Sequence, residues 1–308
     1  MMREMNAHMP CGRWRLITII FLIILACTGS ASLVLAAEKN PSQIFMWSVQ
    51  GAKSTAFLLG SMHMFKEGSY PLDARIEKAY NTCPRVVFEA DPAAAGTQEI
   101  RDMMLKLGTY SEGRTLQKEI SKKTYAMLKE RVAVDNLTME QFDKYKPWFA
   151  ALSVAAIELK KLGFTAEYGL DSYFYKKAVT DKKEMIFLET AAQQLELLAD
   201  AFPGHEEDLL RQALEEMTVL AKDTSAMEQA WKTGDAVRME TFTQKSLKEF
   251  PEVEKKLFAE RNKAWTTHIS RFLAQKGDVF IVVGAGHLVG KDGVLELLRA
   301  RGFKVVQQ

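Results

Sequence analysis

The chain has 308 residues, of which 47% are hydrophobic and 26% charged, with 18 glycines and 8 prolines. This composition excludes disordered, collagen-like and low-complexity proteins, and the length is sufficient for a large buried core. The formal charge of +2 comes entirely from the first 36 residues, where three arginines stand against one glutamate. Because the rest of the chain is electrically balanced, its charge gives no reason to expect a nucleic acid or an anionic membrane as partner.

Residues 1–36 predict an export segment. Arginines precede an apolar stretch, small polar residues follow, and the sequence VLA stands directly before Ala37, as at a cleavage site. We therefore expect a signal peptide at 1–36 and a mature domain at 37–308, located in the periplasm or outside the cell. The apolar residues 16–36 are also long enough to remain as an uncleaved membrane anchor, and Cys27 leaves a lipoprotein form open.

Short apolar runs separated by helical segments predict an α/β fold. Runs with the length and β-branched content of buried strands lie at 45–49, 56–59, 85–88, 184–188, 278–283 and 303–306. Apolar residues at helical spacing predict helices at 72–81, 97–107, 116–132, 139–162, 170–179, 191–201, 206–222, 226–231, 237–248, 253–275 and 293–301. Pro147 should interrupt the helix at 139–162. We expect a central sheet built from N- and C-terminal strands, flanked by helices and carrying a mainly helical insertion at 97–165 and 200–275.

Four of the predicted strands end in side chains that could bind a metal ion or transfer a proton. They are His63, Glu89, Glu189 and His287, and each histidine stands in a Gly-x-x-His sequence. Ligands of open α/β sheets bind beyond the carboxyl ends of the strands, so parallel neighbours would bring all four side chains to one edge. Two imidazoles with one or two carboxylates suit zinc, manganese, cobalt or iron. Such an ion would activate water, with a spare carboxylate as general base.

These residues also have structural interpretations. A single histidine after a strand is more often a hydrogen-bonded structural residue than a ligand, and Glu89 or Glu189 could cap the following helix. Asp171 could hold a ligand histidine, although a helix cap is the favoured interpretation. Arg261 could bind a substrate carboxylate or form a salt bridge with an acidic helix. The joint occurrence of four such residues at four strand ends favours a functional site.

The sequence around these residues resembles the TraB/GumN family, also called TraB/PrgY/GumN, which is similar to the animal TIKI proteins. The matching stretches follow the family's order across residues 45–306 and are FLLGSMHMFKEGSYPLDARIEKAY, VVFEAD, YKPWFAAL, YGLDSYFYKKA, FLETAAQQLELL, AWKTGD, ERNKAW and VFIVVGAGHLVGKDGVLELLRARGFKV. The resemblance implies a fold like that of TIKI proteins, erythromycin esterases and the ChaN haem-binding protein.

The same resemblance implies a metallohydrolase centre. Carried over residue by residue, His63, His287 and Glu89 would hold a divalent cation, namely manganese, cobalt or zinc. Glu189 and the Arg261–Asn262 pair occupy further characteristic positions of the family. TIKI proteins are manganese- or cobalt-dependent proteases that act outside the cell. The resemblance therefore favours a peptidase.

We expect an exported metal-dependent hydrolase that acts on a peptide or a small molecule. His63 and His287 would bind the cation, Glu89 would be a ligand or the general base, and Glu189 and Arg261 would orient the substrate. One alternative is a non-catalytic protein that sequesters a peptide, haem or metal at the same edge. Another is an esterase-type hydrolase without a metal, in which His63 is the base that activates water. The sequence leaves the substrate and the oligomeric state open.

Overall fold

The computed structural model describes residues 43–217, 219–247 and 250–308, so the predicted export segment at 1–36 lies outside the described residues. One six-stranded sheet has the order β4-β3-β5-β2-β1-β6. The strands are β1 (Met46–Gln50), β2 (Thr55–Ser61), β3 (Arg85–Phe88), β4 (Glu184–Phe187), β5 (Val279–Gly284) and β6 (Lys304–Gln307). Each of the six predicted strands is therefore confirmed, with small shifts at the ends.

The four strands that end in the candidate site residues are parallel neighbours. β5 pairs in parallel with β2 on one side and with β3 on the other, and β3 pairs in parallel with β4. β1 pairs antiparallel with both β2 and β6 at the other side of the sheet. Both β3 and β5 are buried along their whole length, as is typical of central parallel strands covered on two faces. The carboxyl ends of β2, β3, β4 and β5 consequently lie at one edge.

Helices cover the sheet, which confirms the predicted α/β class. In chain order they are α1 (Ala74–Thr82), α2 (Gln98–Gly108), α3 (Leu116–Glu119), α4 (Lys122–Val134), α5 (Met139–Phe142), α6 (Pro147–Lys161), α7 (Leu170–Thr180), α8 (Ala191–Ala199), α9 (Glu206–Glu216), α10 (Leu220–Lys232), α11 (Ala236–Leu247), α12 (Pro251–Glu254), α13 (Glu260–Leu273), α14 (Ala285–Leu288) and α15 (Val294–Ala300). A π-helical turn, Lys255–Ala259, joins α12 to α13. No helix of the described residues has both the length and the hydropathy to cross a bilayer.

Local capping divides helices that periodicity alone predicts as continuous. The single helix predicted at 116–132 is wrong, because the Ser121 side chain accepts a hydrogen bond from the backbone N–H of Thr124 and starts a new helix, α4. The interruption predicted at Pro147 is confirmed, since this proline occupies the first turn of α6. These breaks change the helical cover but leave the strand ends in place.

Aromatic packing attaches α1 and α7 to the sheet. The ring centroids of Tyr80 and Phe174 lie 5.6 Å and 5.0 Å from that of Phe280, which belongs to β5. All three side chains are fully buried, and burial of such a ring contributes about 1.5–3 kcal/mol. This packing places the first turn of α7 beside the carboxyl end of β2, where His63 lies.

Candidate active site

Three of the four predicted site residues converge on Gly284, at the end of β5. A Cβ atom placed on this glycine would lie 3.1 Å from Oε1 of Glu89, 3.5 Å from Cδ2 of His287 and 3.6 Å from Nε2 of His63. The strand ends therefore bring the two histidines and the glutamate together, as expected from the sequence. Glycine leaves room for them because it has no side chain.

A hydrogen bond to Asp171 orients His63. Oδ2 of Asp171 lies 2.8 Å from Nδ1 of His63, and the same carboxylate accepts a hydrogen bond from the Ser61 hydroxyl. Asp171 stands in the first turn of α7, whose N-cap is Gly169. The favoured interpretation of Asp171 as a helix cap is therefore wrong, and the alternative, that it holds a histidine, is what the structure shows. A side chain on Gly169 would clash with the backbone oxygen of His63, so glycine permits this close docking.

The charge around His63 favours its protonated form. Burial opposes protonation, but the charge and hydrogen bond of Asp171 and the charge of Glu89 raise the pKa of His63 to about 9. The same interaction holds the pKa of Asp171 below its usual range, despite its burial. At neutral pH the Nδ1–H of His63 donates to Asp171, and Nε2 carries a second proton. His63 lines the pocket described below, so this proton is available to a bound molecule.

His287 is held in the opposite protonation state. Its Nδ1 lies 2.6 Å from Oδ1 of Asn262, and the Asn262 amide donates to the backbone oxygen of Asp292, which fixes Oδ1 as the acceptor. Nδ1 therefore carries the proton, and Nε2 accepts from Nη1 of Arg261 at 3.0 Å. Burial and the charge of Arg261 lower the pKa of His287 to about 3, so its ring is neutral at neutral pH.

Arg261 connects the two carboxylates of the site. Its Nη2 donates to Oε2 of Glu89 at 3.1 Å and to Oε2 of Glu189 at 2.9 Å, and its Nε donates to Oε1 of Glu189 at 2.9 Å. The salt bridges expected for this arginine thus form with strand-end glutamates instead of an acidic helix. Trp265 donates from Nε1 to Oε1 of Glu189 at 3.0 Å, while Thr190 caps α8. A capping role for Glu189 is therefore wrong.

Glu89 is ionised, and both of its oxygens accept hydrogen bonds. Its Oε1 accepts from the backbone N–H of Gly284 at 2.6 Å, and its Oε2 accepts from Arg261 and from the Gln194 amide. Burial opposes ionisation, but electrostatic interaction with His287 and Arg261, followed by the charge of His63 and the Gly284 hydrogen bond, holds the pKa of Glu89 below its usual range. A carboxylate and an imidazolium therefore face the same small space.

The π-helical turn Lys255–Ala259 forms part of this site. The backbone oxygen of Leu257 accepts from Nη1 of Arg261 at 2.9 Å, and the ring of Phe258 packs on that of His287 with centroids 4.6 Å apart. Single π-helical turns are frequent at functional sites. Sequence periodicity does not reveal this turn, because apolar spacing is nearly the same in α- and π-helices over one turn.

The arrangement does not fit the expected metal ion. The described residues contain no group of three or more His, Cys, Asp or Glu side chains placed to hold one. Arg261 also donates to Nε2 of His287 and to Oε2 of Glu89, two residues that the family resemblance assigns to the cation. The Arg261 guanidinium thus lies beside His287 and Glu89, where a metal ion bound by these two residues would have to lie. The divalent cation stays a prediction.

A pocket of about 60 Å³ opens at these strand ends. It is lined by His63, Glu89, Gln194, Leu197, Leu198, Leu257, Phe258, Arg261 and His287. This volume holds a water molecule and the reacting group of a larger molecule. Sequence reasoning missed Gln194, which lies on α8, five positions after Glu189. The family resemblance marked the position of Asn262, but helical spacing gave no indication of its hydrogen bond to His287.

Comparisons with known proteins agree with the resemblance seen in the sequence. The family model of TraB/PrgY/gumN matches residues 45–307. The chain is 26% identical over 247 residues to the uncharacterized protein YbaP of Escherichia coli (strain K12), and equally to YbaP of Shigella flexneri. Each alignment covers 79% of this chain and 87% of the relative. An uncharacterized protein of Treponema pallidum (strain Nichols) is 19% identical over 317 aligned positions, covering 92% of this chain and 90% of the relative. No solved structure matches the chain.

Proposed function

The chain belongs to the TraB/PrgY/gumN family, and from this premise we propose that it is a hydrolase that cleaves an amide or ester bond at the strand-end pocket. The observation that carries the proposal is that a carboxylate and an imidazole share one small pocket, with Oε1 of Glu89 3.1 Å and Nε2 of His63 3.6 Å from the Cβ position of Gly284. Glu89 is an ionised carboxylate, and His63 carries a proton on Nε2. A proton acceptor beside a proton donor is what the addition of water to a carbonyl group requires.

Glu89 acts as the general base and His63 as the general acid. Oε1 of Glu89 accepts a proton from water as the water oxygen bonds to the carbonyl carbon. The Nε2–H of His63 forms a hydrogen bond to the developing oxyanion. As the carbonyl re-forms and the bond from carbon to the leaving nitrogen or oxygen breaks, His63 transfers this proton to the leaving atom. The proton that Glu89 took from water then passes to His63, which restores both groups. Each positioned acid or base typically contributes about 10²–10⁴-fold to the rate.

The surrounding residues keep these two groups in place. Asp171 holds the His63 ring with Nε2 towards the pocket. Arg261 and Gln194 both donate to Oε2 of Glu89, whereas Oε1 accepts only from the Gly284 N–H and keeps a second lone pair for water. Such fixed dipoles and charges lower the cost of reorganisation during the reaction.

A metal-dependent peptidase is the competing proposal. The family resemblance and the donor types of His63, His287 and Glu89 support it, because imidazole and carboxylate are ordinary ligands of zinc, manganese and cobalt. The contacts of Arg261 oppose it, since binding an ion would require the guanidinium to leave His287. A peptide remains the favoured substrate in both versions, and export of the mature domain 37–308 is part of the proposal.

A sequestering protein without turnover is the other candidate. The pocket volume of about 60 Å³ is too small for haem, so it supports only the capture of a small group. Turnover distinguishes this candidate from both hydrolases, because a sequestering protein binds one equivalent and releases no product.

The test combines mass-spectrometric analysis of a peptide mixture with hydrolysis of p-nitrophenyl acetate by the purified protein. His63→Gln and Glu89→Gln should each lower kcat/KM by about 10²-fold or more, while His205→Gln, at an exposed histidine, should leave it unchanged. Full activity after exhaustive chelation supports the acid–base hydrolase. Activity that is lost on chelation and restored by manganese, cobalt or zinc supports the metallopeptidase instead, and binding without product supports sequestration.

A further inference from the structure

A second and much larger cavity lies on another part of the molecule. It has a volume of about 730 Å³ and is formed by the segment that follows His63 and by α7 with the residues preceding it. Its walls include Tyr70, Tyr168 and Tyr173. Cavities of this size with aromatic walls are typical of sites for organic ligands. The hydrolase proposed above does not use this cavity.

The three tyrosines offer ring surface to a ligand. The Tyr70 hydroxyl donates to the backbone oxygen of Tyr168 at 2.6 Å, and the Tyr173 hydroxyl donates to Glu77 at 2.6 Å. Burial raises the pKa of both tyrosines, and also that of Tyr168, whose hydroxyl bonds Glu67. The phenols therefore stay neutral and internally bonded, with the centroids of Tyr70 and Tyr173 4.9 Å apart. The negative face of such rings attracts cations.

The charged groups at this cavity also favour a cation over an anion. Lys177 is neutralised by a salt bridge to Glu77. Glu67 and Glu167 are exposed, and neither forms a salt bridge with any residue that the structure describes; the same holds for Lys176. The four charged residues of the walls, Glu67, Glu167, Lys176 and Lys177, sum to zero, and Glu77, which pairs with Lys177 from outside the walls, gives this region one net negative charge. An anionic ligand would be repelled here, and a neutral one would gain nothing from these carboxylates.

We propose that this cavity binds an organic cation, a substituted ammonium group attached to an apolar body. Tyr70, Tyr168 and Tyr173 contact the apolar body and the alkyl groups on nitrogen, and Glu67 and Glu167 balance the charge at the rim. Both observations select the same ligand, because ring faces and carboxylates each favour positive charge. The proposal is independent of the hydrolase, since it uses none of the residues around Gly284.

The test compares three probes of similar shape by isothermal titration calorimetry. Benzyltrimethylammonium is the cation, 2-methyl-1-phenylpropan-2-ol is its neutral counterpart, and phenylacetate is the anion. We expect the cation to bind at least about tenfold more tightly than the neutral alcohol, and phenylacetate to bind most weakly. Equal or tighter binding of the alcohol or of phenylacetate would overturn the proposal, as would the absence of binding by the cation.

Two variants locate the binding site. Tyr168→Leu, which removes a ring but keeps an apolar side chain, should weaken binding of the cation by about fivefold or more. Replacing both Glu67 and Glu167 with glutamine should weaken binding of the cation by about three- to tenfold and leave binding of the alcohol unchanged. Glu99→Gln, at an exposed position on α2, is the matched control. If Tyr168→Leu and the Glu67/Glu167 double variant both bind the cation as the wild type does, it binds elsewhere and the proposal fails.

Discussion

Oδ2 of Asp171 lies 2.8 Å from Nδ1 of His63, although 108 positions separate the two residues in the chain. This hydrogen bond joins the first turn of α7 to the end of β2 and sets which nitrogen of His63 faces the pocket. The negative charge of Asp171 is also a main reason why His63 is protonated at neutral pH.

Asp171→Asn removes the charge but keeps the shape of the side chain. We expect the pKa of His63 to fall from about 9 towards its ordinary value of 6.5, and kcat/KM at pH 8 to fall by about 10²-fold. NMR titration of the imidazole checks the first result and steady-state kinetics the second. Asp208→Asn, at a half-exposed aspartate on α9, is the control. An unchanged His63 pKa would contradict the assigned role of Asp171.

The pH profile distinguishes an acid from a base at His63. If the imidazolium donates the proton, kcat/KM falls tenfold per pH unit above about pH 9, where His63 loses its proton. On the acid side, kcat/KM falls only at a pH below the usual pKa range of glutamate, because the pKa of Glu89 is lowered. A rate that rises through pH 9 would instead identify His63 as the base, which is the metal-independent esterase alternative. Kinetics in overlapping buffers of constant ionic strength give the measurement.

Gly284→Ala tests the small pocket directly. The new Cβ would lie 3.1 Å from Oε1 of Glu89, which is tighter than ordinary contact, so the carboxylate must shift. We expect kcat/KM to fall by about 10²-fold and the free energy of unfolding to fall by about 1–2 kcal/mol. Gly96→Ala is the matched control, because its Cβ would meet no atom within 4 Å. Wild-type activity of Gly284→Ala would mean that substrate does not react beside this glycine.

Protonation of His63 also stabilises the fold. Because its pKa is raised from 6.5 to about 9, this stabilisation is complete below pH 6.5 and is lost as pH rises through about 9. The side chain is 34% exposed, so solvent screening limits the expected effect to about 1–2 kcal/mol. Urea unfolding of wild type and His63→Gln at pH 6 and pH 10 gives the comparison. The difference between the two proteins should shrink at pH 10, and a constant difference would contradict the assignment.

The strand-end residues could be predicted because parallel strands share one direction. Apolar runs identify the strands, and parallel pairing of β2, β5, β3 and β4 places their carboxyl ends at one edge whatever the intervening helices do. His63, Glu89, Glu189 and His287 stand at those ends, so their proximity follows from position in the sequence. Family resemblance named the same residues independently.

The partners of these residues could not be predicted, because helix docking decides them. Asp171 and Arg261 stand on helices far along the chain from the side chains that they bind, and helical periodicity does not indicate which element a helix contacts. The favoured interpretation of Asp171 as a cap rested on its local position. Tertiary packing of α7 against β5 overrides that local preference.

The sequence by itself therefore determined the α/β class, the six strands and the positions of His63, Glu89, Glu189 and His287 at four strand ends, because these depend on local periodicity and on the shared direction of parallel strands. Only the tertiary structure decided the protonation of His63 and His287, the place of Arg261 beside Glu89, and the large tyrosine-lined cavity. Each of these depends on charges and surfaces from distant segments, since electrostatic interaction and burial act through space and not along the chain.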